Sequence, residues 1–314
     1  MRNAFADELT KLGDTDPRLV MLSGDIGNRL FDKFRAKHPA RFFNCGVAEQ
    51  NMMGVAAGLA LSGLRPVAYT ITPFVTTRCL EQIRVDVCYH EAPVIIVAVG
   101  AGLAYAGLGP THHACEDISF LRSLPGMVVC CPGDAWEVRA ALRAALQQDR
   151  PVYIRMGKKG EPQIHAEVPS EFAFGRALTL REGDEVCLVS TGNMLPEVLH
   201  AADALAARGR SVQVLSMHTV KPLDRAALAR AFARCRVVAT CEEHGAIGGL
   251  GAAVTEWMAD SGTRAPPGGV VRFNTGDAFF RLSGEQEFAR EQLGLTSHQI
   301  AERIERVLAG KAAA

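Results

Sequence analysis

A carboxylate at position 49 is the first residue of this chain whose setting could do chemistry. In Phe42-Phe43-Asn44-Cys45-Gly46-Val47-Ala48-Glu49-Gln50-Asn51 an apolar edge runs into a glycine turn, and Glu49 then opens a helix. A helix dipole favours an acid in its first turn, so a plain helix-start acid is the bland reading. The functional reading is a part-buried carboxyl that donates a proton to a ligand, because burial raises a carboxyl pKa. A second set is Gly107-Leu108-Gly109-Pro110-Thr111-His112-His113-Ala114-Cys115-Glu116-Asp117. Its glycines allow backbone to approach a ligand closely. Adjacent histidines point different ways on any regular element, so His112 and His113 cannot share one role; a helix start capped by Thr111 or Asp117 is the structural alternative. No third ligand stands at zinc spacing, and no metal is assigned to this chain's own residues. A third candidate is Arg155, at the end of an apolar run and followed by Lys158 and Lys159. These are either solvated linker charges or an anion clamp suited to phosphate. Glu242-Glu243-His244-Gly245 precedes Gly248-Gly249-Leu250-Gly251. That G-G-x-G falls short of a dinucleotide fingerprint and reads as tight packing at a helix start.

Such residues need a scaffold, and strand-like runs alternate with helix-like runs along the chain. Continuous apolar runs at 20–23, 94–99 and 127–131 predict strands buried on both faces, with 66–69 and 152–155 beside them. Helices are predicted over 49–61, over 75–89 with a start near Thr72-Pro73, and over 135–147 behind an Asp134 cap. The polar stretch that follows contains no long periodic helix. Strands then recur at 186–190, 212–216 and 237–241, among helices at 195–208, 225–233, 250–259 and 297–308. The order predicts an α/β protein of two doubly wound domains with mostly parallel sheets: residues 1–160, a linker over 161–184, and residues 185–314. Ligands of such sheets sit at the carboxyl ends of strands, where the Glu49 turn, the glycine loop after Val99 and Arg155 all fall.

Of the 314 residues, 48% are hydrophobic and 22% charged, enough for sizeable cores and unlike a disordered chain. The 34 basic and 34 acidic residues balance to a formal charge of +0, which argues against nucleic-acid or membrane-surface partners. The nine cysteines are odd in number, irregularly spaced and mostly within apolar runs, as expected of reduced thiols in a cytoplasmic protein. The opening MRNAFADELTKLG reads as an amphipathic helix containing acids rather than a signal peptide. The uncharged stretch 92–111 is broken by glycines, Pro93 and Pro110, so it reads as strand and loop rather than a membrane span.

With these motifs in order, the chain resembles the C-terminal half of transketolases over nearly its whole length, and is closest in style to split transketolases made of two polypeptides. FNCGVAEQNMMGVAAGLA resembles the stretch around the essential Glu of the pyrimidine-binding domain. GLGPTHHACEDISFLRSLPGM resembles the GPTH segment and its following helix. LSMHTVKPLD and CEEHGAIGGLGAAVTE resemble the C-terminal domain. The resemblance implies thiamine diphosphate with Mg²⁺, bound between two domains. The diphosphate half carries a G-D-G motif that this sequence lacks; Ser23-Gly24-Asp25-Ile26-Gly27-Asn28 is only a superficial echo. The implied partner is therefore an N-terminal transketolase subunit that carries the diphosphate-binding domain and holds Mg²⁺, in an α₂β₂ assembly.

Carried over by position, the resemblance implies that Glu49 meets N1′ of the aminopyrimidine and favours its imino tautomer. The cofactor then serves as electron sink while a ketose C2–C3 bond breaks and the two-carbon unit passes to an aldehyde. Phe74 matches the ring that stacks on the aminopyrimidine, with Val75 the competing register, and Arg78 joins the cofactor-binding set. His112 matches the histidine that donates to substrate oxygens, His113 stands beside it as a second catalytic candidate, and Arg155 matches the arginine that binds a sugar phosphate. Two departures stand out. Leu108 occupies the substrate-binding place of an acidic residue that reads a sugar hydroxyl, and Gly100 that of a histidine that helps hold phosphate. They predict a sugar-like substrate that is less hydroxylated or unphosphorylated. The β subunit of another split thiamine enzyme (2-oxo-acid dehydrogenase or deoxyxylulose-phosphate-synthase-like) and a non-catalytic assembly subunit are the alternatives.

Overall fold

The computed structural model describes residues 1–27, 29–158 and 160–311. Sequence readings that fell on Asn28, Lys159 and the tail 312–314 lie outside the described residues. The first half runs α1 (Arg2–Thr15), β1 (Leu19–Ser23), α2 (Asp32–Lys37), β2 (Phe42–Asn44), α3 (Glu49–Leu61) and β3 (Arg65–Ile71). The single helix expected over 75–89 is a broken series instead: α4 (Thr72–Val75), a 3₁₀ turn at Thr77–Cys79, α5 (Leu80–Gln82) and a π-helical stretch at Ile83–Tyr89. The β-branched run Val75-Thr76-Thr77 resists a regular helix, and the Thr76 hydroxyl donates to the Thr72 carbonyl at 2.6 Å. β4 (Ile95–Val99), α6 (Asp117–Ser123), β5 (Val128–Cys130), α7 (Ala135–Leu146) and β6 (Val152–Met156) complete this half. Asp134 caps α7 as its position predicts, its Oδ1 accepting from the amides of Trp136 and Glu137.

The second half runs β7 (Leu178–Arg181), β8 (Val186–Ser190), α8 (Leu195–Ala206), β9 (Val212–Ser216), β10 (Thr219–Lys221), α9 (Arg225–Arg234), β11 (Val237–Cys241), α10 (Leu250–Asp260), β12 (Val270–Phe273), α11 (Gln286–Gln292) and α12 (Ser297–Leu308). Two mostly parallel sheets with alternating helices result. The first has strand order β10-β5-β6-β4-β3-β1-β2 and the second β12-β11-β8-β9-β7. Each carries one antiparallel edge strand. β7, inside the stretch read as linker, pairs with β9, and β10 crosses from the second half of the chain to pair with β5.

Strand alternation sends successive side chains to opposite faces, which explains why the central strands are apolar throughout. Leu19 and Met21 enter the core under α1 and α7, while Val20 and Leu22 enter the core under α3. In the second sheet Val186 and Leu188 pack against α8 and α12, and Cys187 and Val189 against α9 and α10.

The two halves meet in a buried polar junction at the strand ends. Arg155 Nε donates to Asp117 Oδ2 at 2.7 Å, and the Tyr153 hydroxyl donates to the same oxygen at 2.5 Å. Arg155 Nη2 donates to the carbonyls of Ala114 and Glu243. The Glu243 side chain in turn accepts from the Leu103 amide, Asn193, Gln286 and Arg290 Nε. Asp134 Oδ2 and Glu137 add a second tie, accepting from the Ile164 and His165 amides and from Ser216 and His165 side chains.

Candidate active site

The chemistry-bearing residues of the first domain gather at the carboxyl ends of β1, β3 and β4. Glu49 is the first residue of α3 and only 3% exposed. Its Oε2 accepts from Arg78 Nη1 at 2.7 Å. Its Oε1 has no hydrogen-bond partner among the described residues, so one oxygen of a buried carboxyl stays open to a ligand. Gly24 gives it room: a Cβ there would press on Thr70 Oγ1, itself buried and unpartnered, and would lie 3.7 Å from Glu49 Oε1.

From Glu49 a row of side chains leads outward. The Arg78 guanidinium lies 4.3 Å from the centroid of the Phe74 ring, a cation–π contact. Phe74 meets the His112 ring edge-on at 5.3 Å, and His112 meets Tyr105 at 6.1 Å. Lys158 Nζ then sits 5.2 Å from the Tyr105 centroid. Val75 is wholly buried in the core, while Phe74 is partly open and faces His112. Burial, helped by the neighbouring His113, holds the His112 pKa below its ordinary 6.5, so this imidazole is neutral at pH 7.

The loop that carries His112 is fixed at its root. Gly102 and Ala114 exchange both backbone hydrogen bonds, and the amides of Gly100 and Ala101 donate to the Met156 carbonyl. The junction grips the same root, through Arg155 on the Ala114 carbonyl and Glu243 on the Leu103 amide.

Arg155 is 1% exposed: an ion pair with Asp117 and two carbonyls hold it against the root of the His112 loop, and its Nη1 has no partner among the described residues. His113 is also buried; its Nε2 lies 3.1 Å from the Ala106 carbonyl and its ring faces Phe280, away from Phe74 and Glu49. It braces the loop. Asp117 is the first residue of α6 rather than its cap, and its Oδ2 accepts from Arg155 and Tyr153.

Leu108 is 57% exposed and lines an apolar cleft of about 630 Å³ with Pro110, Phe279, Phe280 and Leu282. Sequence reasoning missed Tyr105 and named Lys158 only beside Arg155 as a linker charge or anion clamp. The signal was present at Gly100: its positive φ and the Tyr105 ring packed where a Cβ would stand show why no side chain occurs there. Glu242, the other acid of its pair, accepts from the Leu250 and Gly251 amides and so fastens the start of α10, as the packing reading holds. Among the described residues no three acids, histidines or cysteines are grouped to hold a metal ion, and no helix is long and apolar enough to cross a membrane.

Residues 1–162 match the family model for the transketolase pyrimidine binding domain, and residues 175–300 match that for the transketolase C-terminal domain. The chain is 36% identical over 301 residues to the 6-deoxy-6-sulfo-D-fructose transketolase subunit of Clostridium sp. (strain MSTE9), covering 96% of this chain and 92% of that protein. It is 33% identical over 292 residues to an apulose-4-phosphate transketolase subunit of Phocaeicola vulgatus, covering 91% and 94%. A solved split-gene transketolase, described as an inactive beta4 tetramer, superposes with a TM-score of 0.87 at 37% identity and covers 99% of this chain and 98% of its own.

Proposed function

From the premise that this chain belongs to the transketolase family, we propose that it is the C-terminal (beta) subunit of a two-component transketolase. The complex would transfer a two-carbon ketol unit from a ketose to an aldehyde. The observation that carries this reading is end-to-end similarity to subunits of split transketolases, joined to a buried Glu49 with one unpartnered oxygen. The family implies dependence on thiamine diphosphate, and the subunit type implies an N-terminal partner. We assign the diphosphate and Mg²⁺ to that partner and the stoichiometry to α₂β₂. With nine cysteines free of disulfides, we assign the complex to the cytoplasm.

The residues present fit the aminopyrimidine end of the cofactor. Glu49 would hold a proton at N1′, with its open Oε1 as the contact atom, and Phe74 would offer the part-exposed ring face against which the base stacks. Arg78 would fix the Glu49 carboxyl through Oε2. When bound, the cofactor supplies the electron sink for carbon–carbon cleavage. His112, neutral and presented by an anchored loop, would donate to the ketose oxygens. Leu108 and its apolar neighbours would leave a sugar hydroxyl unpaired, which favours a less hydroxylated substrate than the usual pentose phosphates.

The test is Glu49→Ala in the reconstituted two-chain complex. Turnover should vanish while the subunits still assemble; unchanged turnover would overturn the assignment. On substrate, comparison with xylulose 5-phosphate plus ribose 5-phosphate is the measurement. Ordinary transketolase efficiency on that pair would count against a less hydroxylated substrate.

A further inference from the structure

We infer that Glu243, a residue of the second domain, is a positioning residue for the reaction, because it fixes the loop that presents His112. This deepens the ketol-transfer reading and rests on it. Glu243 stands two residues beyond β11, wholly buried, and turns its carboxylate to the first domain. Its Oε2 accepts from the Leu103 amide at 2.8 Å, across 140 residues of chain. Asn193 Nδ2 donates to the same oxygen at 2.9 Å and to the Ala101 carbonyl at 3.3 Å. Between these two contacts Gly102 has a positive φ, and a Cβ there would run into the Glu243 carboxylate and carbonyl. Three successive residues at the root of the loop are thus held from the second domain. The hold reaches His112 through short bonds. Gly102 and Ala114 exchange backbone hydrogen bonds of 3.1 and 2.8 Å, which close the loop on both sides of His112. Within it the Leu103 carbonyl accepts from the Ala106 amide at 2.8 Å, and the Gly109 carbonyl from the His112 amide at 3.0 Å. Tyr105, two residues after Leu103, carries the ring that meets His112.

Two observations set this role apart from plain domain docking. The domains are tied elsewhere, by Ser216 on Glu137 and by β10 in the first sheet, so the loop root is what Glu243 adds. The carboxylate is also prepared in its own domain. Gln286 and Arg290 of α11 donate to it, Arg290 Nε at 2.6 Å, and Arg290 Nη2 donates to the Asn193 carbonyl as well. Burial works against the charge of Glu243, but Arg290 and the donated hydrogen bonds hold its pKa below the ordinary 4.5. The Leu103 amide therefore meets a full carboxylate, and a bond to a charged acceptor is stronger and shorter than one to a neutral oxygen. The Leu103 side chain packs with Ala106 and with Ala289 of the same α11, which fixes the root on its apolar side. Such precision matters to rate, since a misplacement of about 1 Å in a catalytic group can cost about 10²-fold.

The experiment loosens the grip in two ways in the reconstituted two-chain complex, with xylulose 5-phosphate and erythrulose as donors. Glu243→Gln removes the charge, and Arg290 keeps Glu197 at 3.6 Å as a second partner. Gly102→Ala leaves the Glu243–Arg290 pair whole and pushes the loop root away from it. Each should lower kcat/KM by about tenfold, yet by less than about twofold when combined with His112→Ala, because the group being positioned is then already gone. Equal losses in the two backgrounds mark a merely structural role and would overturn the proposal. Hydrogen–deuterium exchange gives a readout without turnover: in both variants residues 100–114 should exchange faster while β4 keeps its protection. Unchanged exchange over 100–114, or protection lost throughout both variants, would equally sink the positioning role. A wild-type complex inactive on both donors would instead sink the ketol-transfer reading.

Discussion

Two polar regions of this molecule lie either side of the same loop and are built in opposite ways. Behind the loop, Arg155, Asp117, Tyr153, Glu243 and Arg290 are buried and paired with one another across the two domains. In front of it, Glu49, Arg78, Phe74, His112, Tyr105 and Lys158 form a partly open row with unused hydrogen-bonding capacity. The arginine on the buried side matched a family binding motif, and the lysine on the open side matched none. The difference teaches that a charged residue at a strand end is not a ligand contact until its partners are known. A cation held by a carboxylate and two carbonyls inside a buried junction is out of a substrate's reach, even with its Nη1 unpartnered, whereas a partly exposed one is not.

Breaking the buried side should cost the most. Arg155→Ala leaves Asp117 charged and unpaired, and should lower the unfolding free energy by about 3–5 kcal/mol in a denaturant titration. The paired change Arg155→Met with Asp117→Leu should recover much of that loss, because replacing both charges removes the desolvation cost. A phosphate clamp would behave otherwise: Arg155→Ala would spare stability and raise KM alone. On the open side His112→Ala should lower kcat/KM by about 10²-fold or more, roughly 2.7 kcal/mol or more of transition-state stabilisation. Its unfolding transition should move little, since the imidazole carries no interdomain bond. Because burial holds the His112 pKa below 6.5 and a donor keeps its N–H on protonation, the kcat/KM profiles of wild type and variant should run parallel above pH 6.5. Arg78→Ala removes a half-exposed partner of Glu49 and should shift stability by about 1 kcal/mol or less while impairing turnover.

The smallest effect sharpens the comparison by pH. Burial works against charge at both His165 and Glu137, yet their mutual contact raises the His165 pKa and lowers that of Glu137. Asp134 and Glu171 also favour the charged His165, and His218 the charged Glu137. The His165 contribution is complete below its ordinary 6.5 and is lost as pH rises through its raised value. The Glu137 contribution is present above its ordinary 4.5 and is lost as pH falls through its lowered value. The linker tie should thus weaken on the alkaline side. A His165→Gln variant, compared with wild type by denaturation at pH 6 and pH 8, should show a smaller decline.

What the amino-acid order determined alone is local. Buried strands such as Ile95–Val99 show as uncharged runs, α7 shows by its Asp134 cap, and α3 begins at the predicted Glu49. Strand alternation, helix periodicity and caps are written within a few neighbouring residues, so no knowledge of the rest of the chain is required. The broken helix after Thr72, the crossing of β10 to the first sheet, the retreat of Arg155 and the meeting of Tyr105 with Lys158 were decided in three dimensions. Arg155 finds Asp117 38 residues away and the Glu243 carbonyl 88 away. Such pairings depend on which strands lie side by side and on which charges burial forces together, and neither is encoded in the spacing of the residues themselves.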